Sequence, residues 1–283
     1  MSIAGRLAEA REIVHRFRAA VLTAACSGRL TADLRGEHPR APMGTVEKAV
    51  AHRRRETRRF VEPSLNPHVA FSDLPETWRV VPLGLLLTDL QYGTSKRSAY
   101  DTPGTAVLRI PNASTGVVRT DDLKFAELTA PEAATLRLRP GDLLMIRSNG
   151  SVGLVGLTAE VTESAVGMAY AGYLIRLRVD PDFLTPGFLR LVLASPELRR
   201  QIEVPARSTS GVHNINSREI RSLGVPLPPL DEQHEIVRRA TVALETADRL
   251  TGGISVAQAA LDDASRGVLA TAFRGDLVPL MPE

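Results

Sequence analysis

The chain reads Val21-Leu22-Thr23-Ala24-Ala25-Cys26-Ser27-Gly28-Arg29-Leu30 near one end and Val268-Leu269-Ala270-Thr271-Ala272-Phe273-Arg274-Gly275-Asp276-Leu277 near the other. The two stretches lie 247 positions apart and agree at five of ten residues. Their surroundings share a period. Ile3, Leu7, Ala10, Val14, Phe17, Val21 and Ala24 step alternately by four and three, the spacing of a heptad seam. Shifted by 247, the same frame falls on Leu250, Ile254, Ala257, Leu261, Ala264, Val268 and Thr271, and it extends backwards through Ile236, Ala240, Ala243 and Ala247. Gly28 and Gly275 each stand where a left-handed residue would close a helix.

The ends therefore read as two long helices with one repeated seam. The second, over roughly 231–274, would be about 65 Å long at 1.5 Å per residue. Pro226-Leu227-Pro228-Pro229-Leu230 cannot continue a preceding helix but can begin a new one. Asp231, Glu232 and Glu235 then suit the positive end of the helix dipole. Gly252-Gly253 costs about 1 kcal/mol per Gly relative to Ala, which predicts a kink or local break. A seam of this length exceeds what a small domain's own core absorbs and calls for a helical partner, part of which can be the other end of this chain.

Charge is distributed unevenly along the 283 residues. Residues 1–72 carry 13 Lys/Arg against 7 Asp/Glu, a balance of +6; residues 73–225 carry 17 against 16, or +1; residues 226–283 carry 5 against 9, or −4. An apolar fraction of 43% at low net charge excludes a disordered chain. No apolar run reaches membrane-spanning length, the arginine-bearing first 30 residues do not follow a signal-peptide pattern, and a single cysteine, Cys26, fits a reducing cytoplasm. The six histidines are scattered without metal-ligand spacing.

Residues 31–72 read as a connector, broken by Gly36, Pro39, Pro42 and Gly44, with a short basic helix over 45–61. Its five arginines at 53, 54, 55, 58 and 59 suit either phosphate contacts or a solvated helix face. Residues 73–225 change character. Short apolar runs at 80–87, 106–110, 143–147, 152–161 and 173–179 read as strands, and 185–204 reads as one helix. The fold class is α/β (α+β), a globular domain flanked by long coiled-coil-forming helices. The boundaries are an N-terminal helix over 1–35, a connector over 36–72, the globular domain over 73–225 and the C-terminal helix over 226–283.

Catalytic motifs are missing from the sequence. No P-loop is present, Gly150, Gly153 and Gly156 do not form a dinucleotide fingerprint, and Asn149-Gly150-Ser151-Val152-Gly153 lacks the first glycine of a nucleophile elbow. Asn66-Pro67-His68-Val69 lacks the aromatic residue of an amino-methyltransferase motif. The globular domain instead carries polar, Gly-bearing loops, whose candidate nucleic-acid contacts are Tyr92, Gly93, Thr94, Ser95, Lys96, Arg97, Arg109, Asn112, Arg147, Ser148, Asn149, Ser151, Ser208, Ser210, Asn214 and Asn216. These side chains reach phosphates and base edges. Lys96 and Arg97 suit phosphates, Arg147 guanine and Asn149 adenine. The competing reading has Arg147 and Asn149 bracing a turn before Gly150. The candidate helix-pairing residues are Leu7, Val14, Phe17, Ile236, Leu250, Ile254, Leu261 and Val268.

The stretch Val225-Pro226-Leu227-Pro228-Pro229-Leu230-Asp231-Glu232-Gln233-His234-Glu235-Ile236-Val237 resembles the junction from target recognition domain to helix in the specificity subunits of type I restriction–modification systems. Leu74-Pro75-Glu76-Thr77-Trp78 with Pro82-Leu83-Gly84 resembles that family's lead-in to a recognition domain. Gly141-Asp142-Leu143-Leu144, Arg147-Ser148-Asn149-Gly150, Asn214-Ile215-Asn216 and Ala272-Phe273-Arg274-Gly275 match in order, so the resemblance spans almost the whole chain.

The resemblance implies a non-catalytic DNA-recognition subunit that reads one half of a bipartite target. It implies helices that set the spacing and dock adenine methyltransferase subunits, and a restriction/translocase subunit in the full complex. No cofactor is expected in this chain; S-adenosylmethionine and ATP belong to the partner subunits. Full-length members carry two recognition domains, whereas this chain has one, and its N-terminal repeat lacks the Pro-Leu-Pro-Pro-Leu lead. It resembles the second half of such a subunit, natural, split or truncated, which calls for a second half-subunit or a second copy of itself. The alternative is a coiled-coil interaction protein whose middle domain binds a non-DNA partner.

Overall fold

The computed structural model describes residues 2–36, 45–56, 61–71, 73–204 and 212–274. In chain order the helices are α1 (Ile3–Cys26), α2 (Thr45–Glu56), α3 (Ile110–Ala113), α4 (Ala130–Leu136), α5 (Pro186–Ala194), α6 (Pro196–Glu203), α7 (Ser217–Ser222) and α8 (Leu230–Phe273). The strands are β1 (Arg79–Pro82), β2 (Leu87–Tyr92), β3 (Thr105–Leu108), β4 (Lys124–Ala126), β5 (Leu143–Ile146), β6 (Ser148–Asn149), β7 (Thr158–Glu160), β8 (Ala169–Tyr170), β9 (Leu174–Val179), β10 (His213–Asn214) and β11 (Gly224–Leu227). Contacts separate two units, Leu22–Arg239 and Met1–Val21 with Ala240–Glu283. The first is wider than the 73–225 read from sequence.

The larger unit is α+β. An antiparallel sheet in the order β2-β9-β5-β7 faces a smaller sheet, β4-β3-β8. Leu144, Ile146, Ala159 and Leu174 of the first close a core with Val107, Leu108, Ala126 and Tyr170 of the second. Leu143, Met145, Ile175 and Leu177 alternate with that set and are also fully buried, and α5 packs against β7. The central strand β5 is covered on both faces and reads as an unbroken apolar run, Leu143–Ile146, whereas its neighbour β9 keeps Arg176 and Arg178 among its apolar residues, paired with Asp89 and Asp142.

Several sequence expectations need correction. The run at 80–87 is β1, a 3-10 turn over Leu83–Leu85 and the start of β2. Residues 152–157 lie mostly in turns, leaving only β7 at the end of the expected strand. The helix expected over 185–204 is two helices. Ser195 caps the second, its side chain accepting from Leu198 N, and Pro196 opens it, because proline fits the first turn and disfavours a helical residue before it. Pro226-Leu227, placed in the C-terminal helix segment from sequence, is strand: β11 pairs antiparallel with β1, with Pro226 opposite Val80.

Helix α8 begins at Leu230 and runs 44 residues through Gly252 and Gly253 without the expected break. Two glycines cost a 44-residue helix about 2 kcal/mol, a local cost that the cooperative hydrogen-bond ladder of many turns on either side carries. Gly28, just past α1, has φ +75° as expected; Gly275 lies outside the described residues.

Glu232 and Gln233 join the first turn of α8 to the rest of the larger unit. Glu232 accepts from Thr31 Oγ1 (2.7 Å), Arg35 Nη1 (2.8 Å) and Trp78 Nε1 (3.0 Å). Gln233 is fully buried. Its Oε1 accepts from Thr185 N (2.8 Å), and its Nε2 donates to the carbonyls of Phe183 (2.9 Å) and Pro228 (3.0 Å).

In the smaller unit, Arg18 and Asp248 form an ion pair between α1 and α8. Val14, Val21, Ala240 and Ala247 of the seam are buried. Leu7, Ile254 and Leu261 are half-buried, whereas Phe17, Leu250 and Val268 are exposed. Ile236 is buried within the larger unit.

Substituting Gln233 by Ala removes all three of its bonds and leaves the buried Pro228 carbonyl, together with the carbonyl of half-buried Phe183 and the N–H of half-buried Thr185, without their partner. At about 1–3 kcal/mol for a buried unsatisfied group, Gln233→Ala should lower unfolding free energy by about 2–3 kcal/mol. Urea denaturation checks this; a midpoint within error of wild type would show that the tie contributes little.

Candidate nucleic-acid interface

Three segments far apart in sequence meet at one corner of the larger unit. Tyr92 ends β2, Arg147 sits between β5 and β6, and β10 carries Asn214. Strand β6 pairs with β10, placing Ser148 opposite Asn214 and Asn149 opposite His213. Arg147 N donates to Tyr173 O (2.9 Å), and Ile215 N donates to Arg147 O (2.8 Å). The Arg147 guanidinium lies over the Tyr92 ring, 4.9 Å from its centroid. Its Nη2 donates to Asn214 Oδ1 (3.0 Å) and its Nη1 to Gly172 O (3.3 Å), while its Nε is buried. The Tyr92 hydroxyl accepts from Ser217 N (2.8 Å) at the start of α7. Of the two readings of Arg147, these contacts favour the brace.

Gly93 is required by close approach, since a Cβ there would lie 2.3 Å from Ala171 O. Thr94 then bridges to Ala171, its N donating to Tyr170 O and its O accepting from Gly172 N, both at 2.8 Å. Ser95, Arg97 and Ser151 are exposed beyond these anchors. Asn149 Oδ1 accepts from Ser151 N (2.8 Å), a local turn. Asn216 caps α7, its Oδ1 accepting from the N–H groups of Arg218 and Glu219. Ser208 and Ser210 lie outside the described residues.

Other sequence candidates stand apart from this corner or are already engaged. Asn112 is buried, its Oδ1 accepting from Arg109 N (2.8 Å) and its Nδ2 donating to Asp121 O (2.9 Å). Arg109 pairs with Asp122 at 2.8 Å. Both hold the β3–α3 turn. Lys96 pairs with Glu132 at 2.7 Å and donates to Glu127 O at 3.0 Å. In the basic helix, Arg53 is buried against Asp180 at 2.9 Å and donates to Leu85 O, so it braces the fold. Arg58 and Arg59 lie outside the described residues.

Sequence reading missed Tyr173, 62% exposed beside Arg147, and the exposed Arg218 and Arg221 of α7. Asn216 with Glu219 three residues later is a capping-box signature that signals α7. Nothing in the sequence marks Tyr173. Among the described residues, no group of three or more His, Cys, Asp or Glu could hold a metal ion. Burial pushes the Cys26 thiol up to about 12, which leaves it without thiolate reactivity. No helix among the described residues is long and apolar enough to cross a membrane.

Residues 76–254 match a family model described as the type I restriction modification DNA specificity domain. The chain is 30% identical over 279 residues to the type I restriction enzyme EcoKI specificity subunit of Escherichia coli (strain K12), covering 98% of this chain and 52% of that protein. It is 28% identical over 276 residues to the StySPI specificity subunit of Salmonella potsdam, again covering 98% and 52%. The chain thus spans about half the length of the curated relatives it matches. Its fold is similar to that of the HsdS subunit from Thermoanaerobacter tengcongensis, with TM-score 0.54 and 22% identity over 97% of this chain and 54% of that one.

The ion pair beside this corner sets a pH dependence. The Lys96 ammonium, first, and then the Thr129 donors hold the Glu132 carboxyl down at about 2, below its ordinary 4.5. A depressed carboxylate stabilises the fold above its ordinary pKa and loses that contribution as pH falls towards about 2. Titration of Glu132 followed by NMR should show the low midpoint. Lys96→Ala should raise it part of the way towards 4.5, because the donors from Thr129 N and Oγ1 remain. An unmoved midpoint would mean that Lys96 does not hold Glu132 in solution.

Proposed function

The chain belongs to the type I restriction–modification DNA specificity domain family, and on that premise we propose that it is a non-catalytic DNA-recognition component that reads one half of a bipartite duplex target in the cytoplasm. The observation that carries this reading is the convergence of the Tyr92–Arg97, Arg147–Ser151 and Val212–Asn216 segments on one corner. Side chains from three elements held rigidly together can address neighbouring base edges, whereas isolated loops cannot hold a common register. Arg97, Arg218 and Arg221 have no carboxylate partner among the described residues and are the phosphate contacts of this reading.

The helices α1 and α8 are the proposed spacer and docking element. Exposed Phe17, Leu250, Val268, Leu269 and Phe273 present apolar surface for adenine methyltransferase subunits and for a second recognition half, supplied by another half-subunit or a second copy. S-adenosylmethionine and ATP are cofactors of the methyltransferase and restriction subunits.

Two experiments test the proposal. Binding of the full chain to duplex DNA should weaken as salt rises, with a log–log slope of about −0.9 per phosphate neutralised. Arg97→Ala should reduce that slope by about one while weakening all sequences alike. Salt-independent binding, or none, would sink the recognition reading. Separately, Leu261→Asp places a charge in the half-buried seam and should abolish co-purification with the methyltransferase subunits; normal recovery of that complex would overturn the docking role.

A further inference from the structure

We propose that Asn214 is a base-reading residue of this domain, directed at adenine, and that Arg147 is the residue that positions it. The inference rests on the DNA-recognition reading above and assigns roles within that site.

An asparagine reads adenine by donating from Nδ2 to N7 and accepting at Oδ1 from the N6 amino group. The amide plane must therefore be fixed, with oxygen and nitrogen on known sides. A solvent-exposed amide is ordinarily free to turn end over end, since its terminal torsion is broad and roughly two-fold. Asn214 is exposed, yet its Oδ1 accepts from Arg147 Nη2 at 3.0 Å. Arg147 has only donors, so the turned amide, which would bring Nδ2 to the guanidinium, is repelled. The amide oxygen has two lone pairs. Arg147 uses one and leaves the other for a base, and Nδ2 has no partner among the described residues.

Arg147 is suited to hold rather than to read. Its guanidinium lies on Tyr92, its Nη1 is bonded to Gly172 O, and its Nε is buried. Tyr92 is itself fixed by the donor Ser217 N. The β6–β10 pairing then sets Asn214 on a strand rather than on a free loop. Among the other asparagines considered, Asn112 is buried and Asn216 caps a helix. Asn149 is the nearest rival, but it is half-buried and its oxygen is engaged by Ser151 N.

The test is selection of the full chain on a randomised DNA duplex pool, with wild type, Asn214→Ala, Asn214→Asp, Arg147→Ala and Asn149→Ala in parallel and thermal melts as a folding control. Wild type should enrich adenine at one defined position. Asn214→Ala should relax preference there by roughly five- to a hundredfold. The isosteric Asn214→Asp, now an acceptor only, should turn that position towards cytosine, whose N4 amino group donates. Arg147→Ala should relax the same position, and adding it to Asn214→Ala should change nothing further. A wild-type chain that enriches no sequence removes the recognition reading, and this inference with it. A wild-type motif left intact by Asn214→Ala and Asn214→Asp, or an adenine lost in Asn149→Ala instead, overturns the role of Asn214 alone. A different position relaxed by Arg147→Ala shows that Arg147 reads a base itself.

Discussion

The larger unit depends on two consecutive side chains in the first turn of α8. Neighbouring residues on a helix point about 100° apart, so Glu232 and Gln233 reach different parts of the unit. Glu232 gathers Thr31, Arg35 and the Trp78 indole, which bind the segment after α1 to the start of the domain. Gln233 gathers Phe183, Thr185 and Pro228, which bind the turn before α5 to the end of β11. Because Gln233 and Trp78 are both buried, alternative arrangements of this turn would leave polar groups without water or partners. The β1–β11 ladder closes next to it, so both ends of the domain are fixed at one place.

The long helices were legible because a heptad seam repeats and because its copies share a terminal glycine. The sheets were legible as a class: runs such as Leu143–Ile146 are apolar at every position. Their bounds were harder. Strands β6, β8 and β10 are two residues long, and no period can be recognised over two residues. Leu83–Leu85 is as apolar as the strands beside it, yet turns, because β1 must pair with β11 while β2 pairs with β9 in another sheet. Pro226 fits an edge strand in a two-stranded ladder, a tolerance set by tertiary context.

The candidate interface was legible as residue types and not as partners. Asp142 and Asp180 take Arg178 and Arg53, and Asp122 and Glu132 take Arg109 and Lys96. Arg199 donates to the carbonyls of Gly153 and Val155 and so clamps the turns before β7. None of these pairings spans a fixed sequence interval, so counting cations along the chain cannot separate braces from contacts. Asparagine shows the same division: two amides, of Asn66 and Asn112, are buried, one caps a helix, one closes a turn and one is displayed.

This division bears on how a single domain of this kind could act. With most arginines engaged by carboxylates and carbonyls, and a net charge of only +1 over residues 73–225, the domain offers few cations to phosphates. Sequence-independent attraction scales with the phosphates neutralised, so under the proposed reading it is weak and discrimination falls on fixed polar groups. Weak attraction helps selectivity against a large excess of non-target DNA but limits occupancy of the correct half-site. Joining two such domains through long helices offsets that limit, because the second half-site then binds as an intramolecular step at an effective concentration set by the spacer. A rigid spacer confines the gain to targets whose halves stand the right distance apart, which adds selectivity without additional base contacts. The unbroken course of α8 through Gly252-Gly253 is the property such a spacer needs, since a break there would let the distance vary.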